Sequence, residues 1–144
     1  MPGIMFTKWS GPDGIEQYII HRTGCLPYSG AGINPRVEQK TTILKSVDNT
    51  YYYDDNMNDS NHVQYTLFGH NGDQDETERK FNEPLLNPDK TKHIYLYRVR
   101  KNKKNTEYIW YGKYEITGRT NKQHIGKDYV PRNIVVLSMR KIND

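Results

Sequence analysis

The sequence has a single cysteine, Cys25, in 144 residues. No disulfide can close within it, which excludes a secreted scaffold held by such bonds. The first residues carry no secretion-signal pattern. With the lone thiol, this gives the expectation of an intracellular protein, in the cytoplasm of a prokaryote or the nucleus of a eukaryote. Nothing approaches the roughly 18 consecutive apolar residues of a membrane span, so no membrane partner is expected. Apolar residues are scarce at 34%, and the mean hydropathy is -0.97. That poverty would permit disorder, but 12 tyrosines and 2 tryptophans argue against it, because disordered chains are poor in rings. Repeats and heptads are absent, and the length suits one domain over residues 1–144.

Chemical motifs are missing as well. There is no G-x-x-x-x-G-K-[ST] loop for phosphates, no H-E-x-x-H and no G-x-S-x-G. His21, His62, His70, His93 and His124 lack metal-ligand spacing, and one cysteine cannot build a zinc site. We therefore expect no cofactor, no resident metal and no catalytic residue, and a chain that is not by itself an enzyme. Asp54, Asp55, Asp59 and Asp73 keep one enzymatic alternative open, a small nuclease using a divalent metal, although no lysine-bearing nuclease pattern accompanies them.

What is present is polarised. The formal net charge is +4, but residues 92–144 hold 13 Lys/Arg against 4 Asp/Glu, and residues 1–91 hold 8 against 13. A basic half offers a face to a polyanion, nucleic acid being the commonest; it also serves plain solubility. Strand signals dominate. Residues 93–101 alternate Ile94, Leu96 and Arg98 against Tyr95, Tyr97 and Val99, and residues 106–117 and 133–142 are rich in aromatic and β-branched side chains. Residues 41–47 and 62–68 add two strands, and a first strand is expected near 15–22, where residues 13–20 suit a helical turn as well as a strand. One short helix is expected over 74–81, with Asp73 as its N-cap and Pro84 and Pro88 ending it. The fold class is thus mainly β with one or two short helices (α+β), a closed or partly closed twisted β-barrel. Segments 23–36 and 48–61 read as long loops.

The densest chemistry lies in residues 51–69, YYYDDNMNDSNHVQYTLFG. Two tyrosines can sandwich a flat heterocycle, and an aspartate can accept a hydrogen bond from an exocyclic amino group such as cytosine N4. Tyr52 or Tyr53, Asp55, Tyr65 and the backbone near Thr66 would form such a pocket. The alternative is that the rings pack on the barrel while the acids hold turns.

The order of motifs adds a resemblance. Residues 51–75 are similar to the heart of the SRA (SET- and RING-associated, or YDG) domain: a tyrosine before an acidic pair, a spacer, a Tyr-Thr strand, then a turn with Gly72, Asp73 and Gln74. Asn82, Leu85 and Leu86 follow, then a strand ending in basic residues, then Trp110, Tyr111, Gly112, Lys113 and Tyr114 where that family has Tyr-Asp-Gly. The resemblance implies a PUA-like barrel that flips a modified cytosine, 5-methylcytosine or a derivative, out of double-stranded DNA. It places Asp55 on N4, Tyr52 or Tyr53 and Tyr65 on the two faces of the base, and Thr66 among the backbone contacts. A nuclease domain or subunit would be a natural companion. Arg36, Lys101, Lys103, Lys104, Arg119, Lys122, Gln123 and Lys127 are the candidates for phosphate or groove contacts, those from 119 to 127 on a polar loop. The chain departs from the family at the displaced Gly69, at Tyr111 in place of the motif aspartate, and at Asn49, Thr50 and Tyr51 in place of glycines. An RNA or nucleotide binder on the same barrel, stacking an unpaired base without flipping, is the rival reading.

Overall fold

The computed structural model describes residues 3–28, 30–47, 61–69, 72–101 and 104–143. In chain order the elements are β1 (Ile4–Phe6), α1 (Ile15–Thr23), β2 (Ile33–Arg36), a 3-10 turn (Val37–Gln39), β3 (Thr41–Val47), β4 (His62–Thr66), α2 (Asn82–Leu86), β5 (His93–Lys101), β6 (Thr106–Ile125) and β7 (Pro131–Ile142). The strands form one sheet in the order β2-β3-β5-β6-β7-β4, with β1 also pairing to β6. All pairs are antiparallel except β3 with β5.

Alternation divides the core in two. Ile94 and Leu96 of β5 join a cluster drawn from both sheet edges, including Ile33, Leu44, Val63, Tyr65, Leu137 and Met139. Tyr95, Tyr97 and Val99 face the opposite way and join Ile15 and Ile19 of α1 with Ile43 and Trp110. A period of two in the strand and of four in the helix brings these faces together. The segment near 15–22 is therefore a helix, not the expected first strand. Its end is set by Gly24, left-handed at φ 72°, whose N–H donates to Ile20 O at 2.8 Å.

The sheet curls around the first cluster. Opposite the step from Leu96 to Tyr97, β6 carries Tyr111 as an extra residue between Trp110 and Gly112, and Gly112 has φ 113°. A second irregularity falls between Ile116 and Gly118. Bulges bend a strand and increase its twist, so β6 can leave β5 and continue on β7 alone. Among the described residues the backbone ladder does not close: β2 and β4 are its two edges. A side chain spans the gap. The Tyr65 hydroxyl, carried by β4, donates toward the carbonyls of Lys45 (2.8 Å) and Gly32 (2.9 Å).

Two further expectations are corrected. Residues 74–81 are turns, and the short helix is α2. Glu78 takes the N–H groups of Lys80, Phe81 and Asn82 on its carboxylate, which starts α2. Pro84 lies inside its first turn, where no N–H is needed, so it does not act as a stop. Residues 119–125 are strand, not loop: β6 continues to Ile125 because each residue finds a partner in β7.

Tyr97 is fully buried, and its hydroxyl makes no hydrogen bond. Burial, reinforced by Tyr108, pushes its ionisation well above the ordinary phenol range. Tyr97→Phe should therefore raise stability by about 1 kcal/mol in urea titrations. Because the folded state holds the neutral phenol, wild-type stability is intact below the ordinary value of 10.0 and declines as pH rises beyond it. The advantage of the variant should widen there.

Candidate functional site

Position 65 is where the sequence-predicted pocket meets the described structure. Val63 and Tyr65 of β4 and Leu67 just after it point inward, and Tyr65 is 3% exposed within the curled core. Its hydroxyl is held on β3 and on the residue before β2, so the ring has a fixed position. Thr66 is buried beside it and pairs with Val136 of β7. Tyr52, Tyr53 and Asp55, with Asp54 and Asp59, lie outside the described residues, as does Lys103. The chain enters that segment from Val47 and leaves it at Asn61, whose carbonyl accepts from Lys141 N at 2.9 Å.

The Gly72-Asp73-Gln74 turn clamps the exit of β4. The Gln74 amide oxygen accepts from Val135 N at 2.9 Å, and its amide nitrogen donates to Leu67 O at 2.6 Å and Gly69 O at 3.1 Å. The side chain thus continues the ladder where the backbone stops. Asp73 accepts from Asn133 N at 2.9 Å, so it holds this turn and does not cap a helix. Asn82, fully buried, accepts from Phe68 N at 2.8 Å and donates to Phe68 O at 3.1 Å and Asp75 O at 2.9 Å. Sequence reasoning missed Arg132. It is 3% exposed, and its guanidinium donates to Gly69 O, pinning the turn to β7. An arginine among the apolar residues of β7 was the available signal.

The cationic candidates fall into separate places. Lys101 ends β5 at the hairpin that Lys104 also shares, and partly buried Lys45 lies near it. Burial and then the Lys101 charge hold the Lys45 ammonium below the usual lysine range. Arg36 lies on the β2 edge beside Cys25 and Leu26, with its guanidinium on Leu26 O and Pro35 O at 2.9 Å each. Arg119 is paired with Glu76. Gln123 reaches Asn133 at 3.4 Å, and Lys122 lies beside it on the same strand. Lys127 is exposed on the β6–β7 turn. Ion pairs from Arg100 to Glu107 and from Arg140 to Glu115 offset two more cations, so the basic half is not one uniform face. Among the described residues no group of His, Cys, Asp and Glu could hold a metal, and no helix is long and apolar enough to cross a membrane.

The family model of the ScoMcrA-like SRA domain matches residues 19–144. No curated protein matches the sequence. Among solved structures, ScoMcrA, described as a Type IV phosphorothioation-dependent restriction endonuclease, is 19% identical with a TM-score of 0.60, over 99% of this chain and 28% of that one. The sulfur binding domain and SRA domain of ScoMcrA, complexed with phosphorothioated DNA, is 20% identical with a TM-score of 0.59, over 99% and 40%. KRYPTONITE in complex with mCHH DNA, H3(1-15) peptide and SAH is 13% identical with a TM-score of 0.59, over 98% and 31%. Likeness at such identities is likeness of fold. The chain spans well under half the length of these three.

Proposed function

Because the chain belongs to the ScoMcrA-like SRA domain family, we propose that it is a single reader module for modified DNA. It binds a duplex carrying a modified cytosine, 5-methylcytosine or a derivative, and turns that base out of the helix into a pocket. The match over residues 19–144 carries this reading. In this reading the ring of Tyr65, fixed through its hydroxyl, forms one wall of the pocket. Tyr52 or Tyr53 forms the other wall, Asp55 accepts from N4, and the Thr66 backbone meets the base edge. Flipping costs unstacking energy, which two ring faces and one edge contact offset. Lys101 and Lys104, at one end of the sheet, meet phosphates, and Lys103 adds to them. The module performs no chemistry itself. It acts inside the cell within a restriction or epigenetic system, joined to a nuclease domain or subunit that cuts what the module finds.

Two relatives are described with differently altered DNA, one phosphorothioated and one mCHH. The test therefore compares four ligands at one salt concentration: unmodified duplex, 5-methylcytosine duplex, phosphorothioated duplex and single-stranded RNA. The 5-methylcytosine duplex should bind about tenfold tighter than the unmodified one, and Asp55→Ala should remove that difference. Equal affinity of the wild type for these two duplexes sinks the reading; tightest binding to RNA replaces it with the base-stacking rival.

A further inference from the structure

The far end of the β6–β7 hairpin carries a residue that folding does not call for. Tyr129 has φ 63°, a left-handed backbone that glycine or asparagine adopts at far lower cost than a bulky residue. Its side chain is 75% exposed, so the ring gives back nothing to the core. Around it the turn is firmly made: Gly126 N donates to Val130 O, Tyr129 N to Gly126 O and Val130 N to the Asp128 carboxylate, each at 3.0 Å. Val130 at 55% and Ile125 at 40% exposure lie on the same end of the hairpin. An exposed ring on a hydrogen-bonded turn is thus displayed at a tip that also carries exposed Lys127. The one acid there, Asp128, is turned back onto the turn's own backbone.

We infer that this tip is a second contact on duplex DNA, with Tyr129, Val130 and Ile125 as an apolar wedge against a base step and Lys127 on the adjacent phosphate. The inference rests on the duplex-binding reading above. Charge selects the partner: Lys127 is exposed on the tip and Lys122 lies on the β6 stretch behind it, and a cation near an exposed ring suits stacked bases between phosphates better than an apolar protein face. Proteins that press apolar side chains between base steps gain affinity in this way. The tip lies at the opposite end of β6 from the Lys101–Lys104 hairpin, so the two contacts act at different places on one duplex. The wedge touches no modified base and contributes to affinity without contributing to discrimination.

The test uses Tyr129→Gly, Tyr129→Phe and Lys127→Gln in the full chain, with modified and unmodified duplexes over a salt series. Tyr129→Gly relieves the backbone, so its Tm should equal or exceed that of the wild type. Its affinity for both duplexes should fall about tenfold with the salt slope unchanged. Tyr129→Phe should keep wild-type affinity, and Lys127→Gln should lower the slope by about one. Unchanged affinity of Tyr129→Gly for both duplexes overturns the wedge and leaves the tip to a protein partner. A wild type that binds both duplexes equally overturns the flipping pocket alone, because the wedge is read in total affinity.

Discussion

Asn82→Asp should destabilise the protein by about 3–5 kcal/mol, a fall in Tm of roughly 10–15 °C. The substitution changes hardly any volume, so packing cannot account for the loss. At neutral pH it replaces two donors by acceptors. The carbonyls of Phe68 and Asp75, which now receive the amide at 3.1 and 2.9 Å, would face a buried carboxylate. Burial raises the carboxyl pKa, so the variant takes up a proton on folding and recovers one donor. Its deficit should accordingly narrow as pH falls toward 4. Thermal unfolding at two pH values checks both claims. A loss below 1 kcal/mol at pH 7 would mean that the turn after β4 does not depend on Asn82.

Gly112→Val should cost about 3 kcal/mol. At φ 113° a β-branched residue is far outside its allowed backbone, and an added Cβ would sit 3.2 Å from the Lys141 Cε. The lysine tip can yield, whereas the backbone cannot, because the Tyr111 bulge needs it. Denaturant titration should show the loss, and Gly112→Ala should lie between wild type and valine. If valine is tolerated, the bulge re-forms elsewhere and the curl of β6 does not depend on it.

How much was legible can be judged element by element. β3 and β5 were readable to their ends, since both are buried on both faces and carry β-branched or aromatic side chains. The outer half of β6 was not, because Arg119, Asn121, Lys122 and Gln123 carry no strand propensity. Pairing with β7 imposes their conformation. α1 was misread because Ile15, Ile19 and Ile20 suit a strand as well as a helix, and only packing of Ile15 and Ile19 on Tyr97 and Trp110 decides. The motif residues were found by order, while their work was hidden. Gly112 permits a bulge, and Gln74 and Asn82 substitute for missing backbone partners, roles that depend on residues distant in sequence. Of the residues proposed for the pocket, Tyr65 and Thr66 have defined places, while Tyr52, Tyr53 and Asp55 rest on the sequence pattern and on the binding test.

The register of the sheet also sets an order of assembly. β5, β6 and β7 succeed one another along the chain and pair as neighbours, so their loops close early. β3 must wait for β5, since Thr41 pairs with His93, and β4 must wait for the last strand of all, since His62 pairs with Arg140. Long-range pairings form slowly because loop-closure entropy is lost before their contacts form. Val47 and Asn61, which bound the stretch between them, therefore both have sheet partners only when β7 is in place. A chain growing from its N-terminus acquires its proposed reading pocket last, after the basic hairpin that would meet DNA has already formed.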